Sequence, residues 1–95
     1  MRLELSRRAQ ADLDDIRDYS VERFGVARAI AYLDAIEQAF QRLLVYPEAG
    51  PVHGGTDNAV RSYPAEEHRI YYEQDAERVF VLRVLHKRMD AGRHL

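Results

Sequence analysis

Ninety-five residues, 11.0 kDa, with 46% hydrophobic and 32% charged side chains describe one small folded domain over 1–95, too short for a second core. No cysteine is present, which excludes disulfides, thiolate zinc sites and cysteine nucleophiles. The net charge of −2 argues against a protein that lives on phosphate backbones, so no direct sequence-specific nucleic-acid binding is expected.

That average hides an asymmetry. Residues 1–57 hold seven Arg against ten acids (−3), and residues 58–95 hold seven Lys and Arg against six acids (+1). Within the latter, residues 78–95 carry five basic side chains and only Asp90, giving +4. The longest apolar run, Ala29 to Leu33, is five residues and far short of the roughly 18 that a membrane span needs. Charged residues follow Met1 at once, with no signal-peptide pattern. A soluble, cytoplasmic protein without membrane contact is the expectation.

In chain order, Leu3 and Leu5 alternate with Arg2 and Glu4, the period of a short half-buried strand over Arg2 to Leu5. Ser6 stands where its hydroxyl can cap a helix. Ala9, Leu13, Ile16 and Tyr19 then recur on one helix face, and the pattern fades at Phe24-Gly25, a common helix stop. Asp12, Asp14, Asp15 and Asp18 read as a solvated helix face rather than a cation site. A second helix, with Ile30, Leu33, Ile36 or Glu37, Phe40 and Leu43 or Leu44, runs to Tyr46-Pro47. So short a link predicts an antiparallel helical hairpin.

Residues 47–57 hold three of the five glycines and two of the three prolines and read as a loop. Ala59 to Tyr63, His68 to Glu73 and Arg78 to Leu85 are then rich in Val, Ile, Tyr and Phe, with a turn at Asp75-Ala76. The run Val79-Phe80-Val81-Leu82 suits a central strand buried on both faces, and the tail from His86 to Leu95 looks irregular. The predicted fold is α+β: an N-terminal strand, then an antiparallel helical hairpin packed on a C-terminal antiparallel sheet.

Nucleotide-binding, zinc-protease and serine-hydrolase motifs are missing, and Ser6 is better explained as a cap. The histidines at 53, 68, 86 and 94 lack metal spacing, so neither a metal nor a cofactor is expected. What remains is a basic group on the strands: Arg61, Arg69, Arg83, His86, Lys87 and Arg88. Arg83 interrupts an apolar strand, a costly place unless it is paired or serves a functional surface. Its pairing candidates are Glu66, Glu67 or a helix carboxylate, and both readings stay open here. Phe24, Tyr32 and Tyr46 suit either a partner groove or the rim of the core.

The stretch Arg8-Ala9-x-Ala11-Asp12-Leu13-x-x-Ile16-x-x-Tyr19 resembles the first helix of ParE-type toxins of bacterial type II toxin–antitoxin systems. The resemblance continues through Phe24-Gly25-x-x-x-Ala29-x-x-Tyr32, Leu43-x-x-x-Pro47-x-x-Gly50 and Arg69-Ile70-Tyr71-Tyr72. It closes on Arg83-Val84-Leu85-His86-x-x-Met89-Asp90-x-x-x-His94-Leu95 and spans nearly the whole chain. It implies a RelE/ParE-like fold, non-enzymatic inhibition of DNA gyrase, a role of the plasmid-maintenance kind, and neutralisation by a ParD-type antitoxin. The expected gyrase-facing residues are Arg69, Arg83, His86, Arg88, Met89 and His94. The expected antitoxin-facing residues are Leu13, Tyr19, Tyr32, Phe40 and Leu44.

Two alternatives come with the superfamily. RelE-like ribonucleases cut messenger RNA on the ribosome with a base, an acid and a phosphate-binding arginine. Arg69, Arg83 and His86 would supply such a set here, although no tyrosine follows Tyr72, where several of these nucleases carry one. The second alternative is an inactive homologue that keeps the fold.

Overall fold

The computed structural model describes residues 1–53 and 59–95, so residues 54–57 of the predicted loop lie outside the described residues. Its elements in chain order are β1 (Arg2–Leu5), α1 (Arg7–Phe24), α2 (Val26–Val45), β2 (Arg61–Ala65), β3 (His68–Gln74), β4 (Arg78–His86) and α3 (Ala91–His94).

Ser6 caps α1 as its position suggested. Its Oγ accepts the Ala9 N–H at 2.9 Å and donates to the Leu82 carbonyl at 2.7 Å, which fixes the start of the helix against β4. A single residue, Gly25, separates the helices. Its φ of +88° suits glycine, and its N–H caps α1 on the Val21 carbonyl.

The sheet order is β1-β4-β3-β2. Strands β2, β3 and β4 form the predicted antiparallel meander, but β1 pairs parallel to β4, so the sheet is mixed. The reason lies in strand character. β4 supplies Val79, Val81, Val84 and Leu85 to the interior and takes a central place, while the four-residue β1 fits only an edge. β2 begins two residues later than predicted and runs on through Pro64, which an edge strand tolerates.

The main core lies between the hairpin and one sheet face. Ala9 and Ile16 of α1 and Ile36, Phe40 and Leu43 of α2 pack on Ile70, Tyr72, Val79, Val81 and Val84. The other face carries a smaller cluster of Val60, Tyr71, Leu85 and Ala91. Phe80 and Leu82 are only half-buried there, so the run Val79-Phe80-Val81-Leu82 is fully covered on its helix side alone. The tail also differs from expectation. The Asp90 side chain accepts the Gly92 N–H at 3.0 Å and starts the one-turn helix α3, while Ala91 plugs the smaller cluster.

Tyr72 anchors the chain leaving α2. Its buried hydroxyl donates to the Pro47 carbonyl at 2.7 Å and accepts the Gly50 N–H at 3.0 Å. A Cβ at Gly50 would stand 2.5 Å from the Ser62 carbonyl oxygen, a backbone atom that cannot swing away. Gly50→Ala should therefore lower stability by about 1–3 kcal/mol through overpacking, read as a lower urea midpoint. An unchanged midpoint would contradict this packing.

Candidate protein-docking groove

Between α1, α2 and the adjoining ends of β3 and β4 at His68 and His86 lies an open groove of about 900 Å³. Its apolar lining includes Ile16, Tyr19 and Phe24 from α1, Ala31 and Ala35 from α2, and Met89 beyond β4. Tyr19 is 60% exposed and Phe24 52%, and their rings meet edge to face at 6.4 Å. Large apolar side chains left open beside a concave wall are the usual signature of a protein-docking surface.

The groove's polar floor is built across three elements. His68 and His86 are direct partners in the β3–β4 register, and their rings lie 5.4 Å apart edge to face. Tyr32 reaches over from α2. Its hydroxyl accepts the Glu67 N–H at 3.0 Å and meets His68 Nδ1 at 2.6 Å, so a neutral His68 can accept the phenol proton. Burial holds the His68 imidazole below its ordinary pKa and His86 pushes the same way, against the opposite pull of Asp12 and Glu67.

A lowered folded-state pKa means that the unfolded chain takes up the proton first as pH falls. Stability owed to neutral His68 is therefore present above pH about 6.5 and is lost as pH drops through that value towards the lowered one. Unfolding midpoints should fall between pH 7.5 and 5.5, with a shallower fall in His68→Gln. Superimposable profiles would contradict this assignment.

Arg83 is the buried ion pair of the two readings. Its Nε and Nη2 each donate at 2.8 Å to the Asp12 carboxylate, and both side chains are only 12% exposed. Asp12 also accepts the Val84 N–H at 2.9 Å, satisfying backbone beyond the end of the short β1. The third Arg83 donor reaches the His94 carbonyl at 3.0 Å and ties α3 to the sheet. Asp12 is thus no part of a merely solvated face.

The expected target-facing residues do not form one surface. His86 and Met89 line the groove, Arg88 is exposed in the turn after β4, and His94 is half-buried in α3. Arg83 is committed to Asp12, which corrects its inclusion as a free contact residue. Arg69 pairs with Leu85 in the ladder and donates to Ser62 Oγ at 3.0 Å, on the sheet face opposite the helices. The ribonuclease set of Arg69, Arg83 and His86 consequently does not converge: one guanidinium is paired, and the other lies across the sheet from the imidazole.

Among the expected antitoxin-facing residues, Tyr19 and Tyr32 line the groove. Leu13 and Leu44 are half-buried against the main core. Phe40 is 2% exposed within that core and has no surface to offer, a second correction. An amphipathic helix shows which residues face inward but not which of those remain at the margin. Sequence reasoning did not bring Tyr32, His68 and His86 together, and passed over Ala31, Ala35 and Glu66 as groove residues. No group of three or more His, Asp or Glu among the described residues is placed to hold a metal. No helix among them is long and apolar enough to cross a membrane.

Comparison with known proteins places this architecture. The family model described as the ParE toxin of the type II toxin–antitoxin system, parDE, matches residues 3–91. Toxin ParE1 of Caulobacter vibrioides is 36% identical over 91 residues, covering 96% of this chain and 94% of the relative. Toxin ParE1 of Mycobacterium tuberculosis is 36% identical over 92 residues, with 96% and 94% covered. A solved structure described as the chromosomal ParDE TA system from P. aeruginosa superposes with a TM-score of 0.76 at 24% identity, covering 90% of this chain and 95% of the other.

Proposed function

This chain belongs to the ParE toxin family of type II toxin–antitoxin systems, and from that premise we propose that it arrests growth by binding DNA gyrase in the cytoplasm and is neutralised by a ParD-type antitoxin seated in the groove. The open apolar groove carries the antitoxin half of this reading. It is concave, lined by aromatic and small side chains, and suited to the apolar face of a helix. An antitoxin segment that is disordered alone would fold as it fills the groove.

The gyrase half rests on family membership, and the scattered arginines favour it over RNA cleavage. Ribonuclease chemistry needs a base, an acid and a phosphate-binding cation around one scissile bond. Here Arg83 is neutralised by Asp12, and Arg69 faces away from the His68–His86 pair. The toxin is accordingly a binder without catalysis of its own. Arg88, Met89, His86 and His94 are the proposed gyrase contacts on the strength of the family resemblance, and His86 and Met89 also line the groove, so a seated antitoxin would cover part of this set. Arg83 is a positioning residue that holds His94 in place.

Induced expression should arrest growth, and co-expression of the antitoxin should restore it. Full growth under induction, with folded protein present, would instead indicate an inactive homologue. Ala31 is exposed and lines the groove, so Ala31→Trp should fill it without disturbing the core. That variant should stay toxic yet escape neutralisation in the co-expression assay. Complete rescue by the antitoxin would contradict the placement.

A further inference from the structure

The charges around the groove bear on the chemistry of the segment that fills it. Four carboxylates and two guanidiniums line the groove, but they are not equally available. Asp12 and Arg83 neutralise each other at 2.8 Å. Glu67 is held by Lys87 at 2.6 Å, and that ion pair keeps its carboxyl below the usual range. What remains is Asp15 on α1, Glu66 at the β2–β3 turn and Arg28 on α2.

These three do not cancel in place. Asp15 lies ten residues before the Gly25 corner, about 15 Å back along α1. Arg28 lies three residues past the corner, about 4.5 Å along α2 and so near the hairpin tip. Glu66 precedes Glu67, whose N–H is bound by Tyr32, one turn of α2 beyond Arg28. The groove therefore sets its apolar side chains between two carboxylates, one from α1 and one from the β2–β3 turn, that make no ion pair among the described residues.

We propose that Asp15 and Glu66 select a partner segment whose apolar helical face is flanked by lysine or arginine, the two carboxylates reading those cations from either side of the groove. This rests on the reading that the groove seats the antitoxin. The preference belongs to the groove itself: a cationic helix would meet its two available carboxylates, and an acidic one would be repelled by them.

The test uses two 16-residue amphipathic helical peptides with the same leucine face, one flanked by lysines and one by glutamates. Binding to the full-length protein is followed by fluorescence anisotropy in low salt and in 0.5 M NaCl. The lysine-flanked peptide should bind about tenfold more tightly in low salt, and the difference should shrink as salt screens exposed pairs. Asp15→Lys combined with Glu66→Lys should reverse the preference, and circular dichroism checks that the double variant is folded. Equal binding of both peptides, or a preference for glutamate, overturns this inference and leaves the groove reading standing. Failure of both peptides to bind, or binding unaffected by Ala31→Trp, overturns the groove reading as well.

Discussion

Asp12→Ala should cost the fold about 3–5 kcal/mol, a large part of the roughly 5–15 kcal/mol expected for a domain of this size. The carboxylate holds two guanidinium nitrogens at 2.8 Å and the Val84 N–H at 2.9 Å, at a site where both side chains are 12% exposed. Removing it leaves a charge and a backbone donor short of partners in a poorly hydrated place. Urea unfolding measures the loss directly. Replacing Arg83 by Met in the same background should recover part of it, since the buried charge then disappears too. A loss below about 1 kcal/mol for Asp12→Ala would contradict the ion pair as described. Because Arg83 also binds the His94 carbonyl, the single variant should loosen the C-terminal turn and weaken toxicity along with stability.

Phe40→Ala is expected to be equally damaging, about 3–5 kcal/mol, through the cavity it leaves. Phe40 is 2% exposed among Ile36, Leu43 and the sheet residues, so its neighbours cannot collapse fully into the space. Tyr19 is the informative contrast. It is 60% exposed at the groove, and Tyr19→Ala should move stability by no more than about 0.5 kcal/mol while weakening antitoxin binding. The reverse pattern, a stable Phe40→Ala and an unfolded Tyr19→Ala, would mean that core and groove have been exchanged.

These two residues show what could be read from the sequence. Local signals were legible: the Ser6 cap, the Gly25 corner, the helical period of Ala9, Ile16 and Ile36, and the β-rich last third all correspond to observed elements. The parallel pairing of β1 with β4 was not legible, because strand periodicity says which face is buried and nothing about the neighbour. Arg83 was recognisable as needing a partner, but Asp12 is 71 residues away and carries the same pattern as its solvated neighbours.

The groove floor was hidden for a sharper reason. Tyr72 pairs with Val81, and continuing that register would set His68 opposite Leu85. A register shift between Tyr71 and Tyr72 brings His86 there instead, and with it the Tyr32–His68–His86 contact. A one-residue bulge in β4 therefore decides which side chains face the groove, and nothing in the composition of that strand announces it.

The proposed gyrase inhibition, held in check through the groove, is tested most directly by a purified supercoiling assay. Folded protein is added to DNA gyrase, ATP and relaxed plasmid, with and without the ParD-type antitoxin. Loss of supercoiling with accumulation of cleaved plasmid, reversed by antitoxin but not for Ala31→Trp, is the predicted result. Gyrase that supercoils at its normal rate in the presence of a protein that still arrests growth would contradict the account and turn attention to cleavage of ribosome-bound messenger.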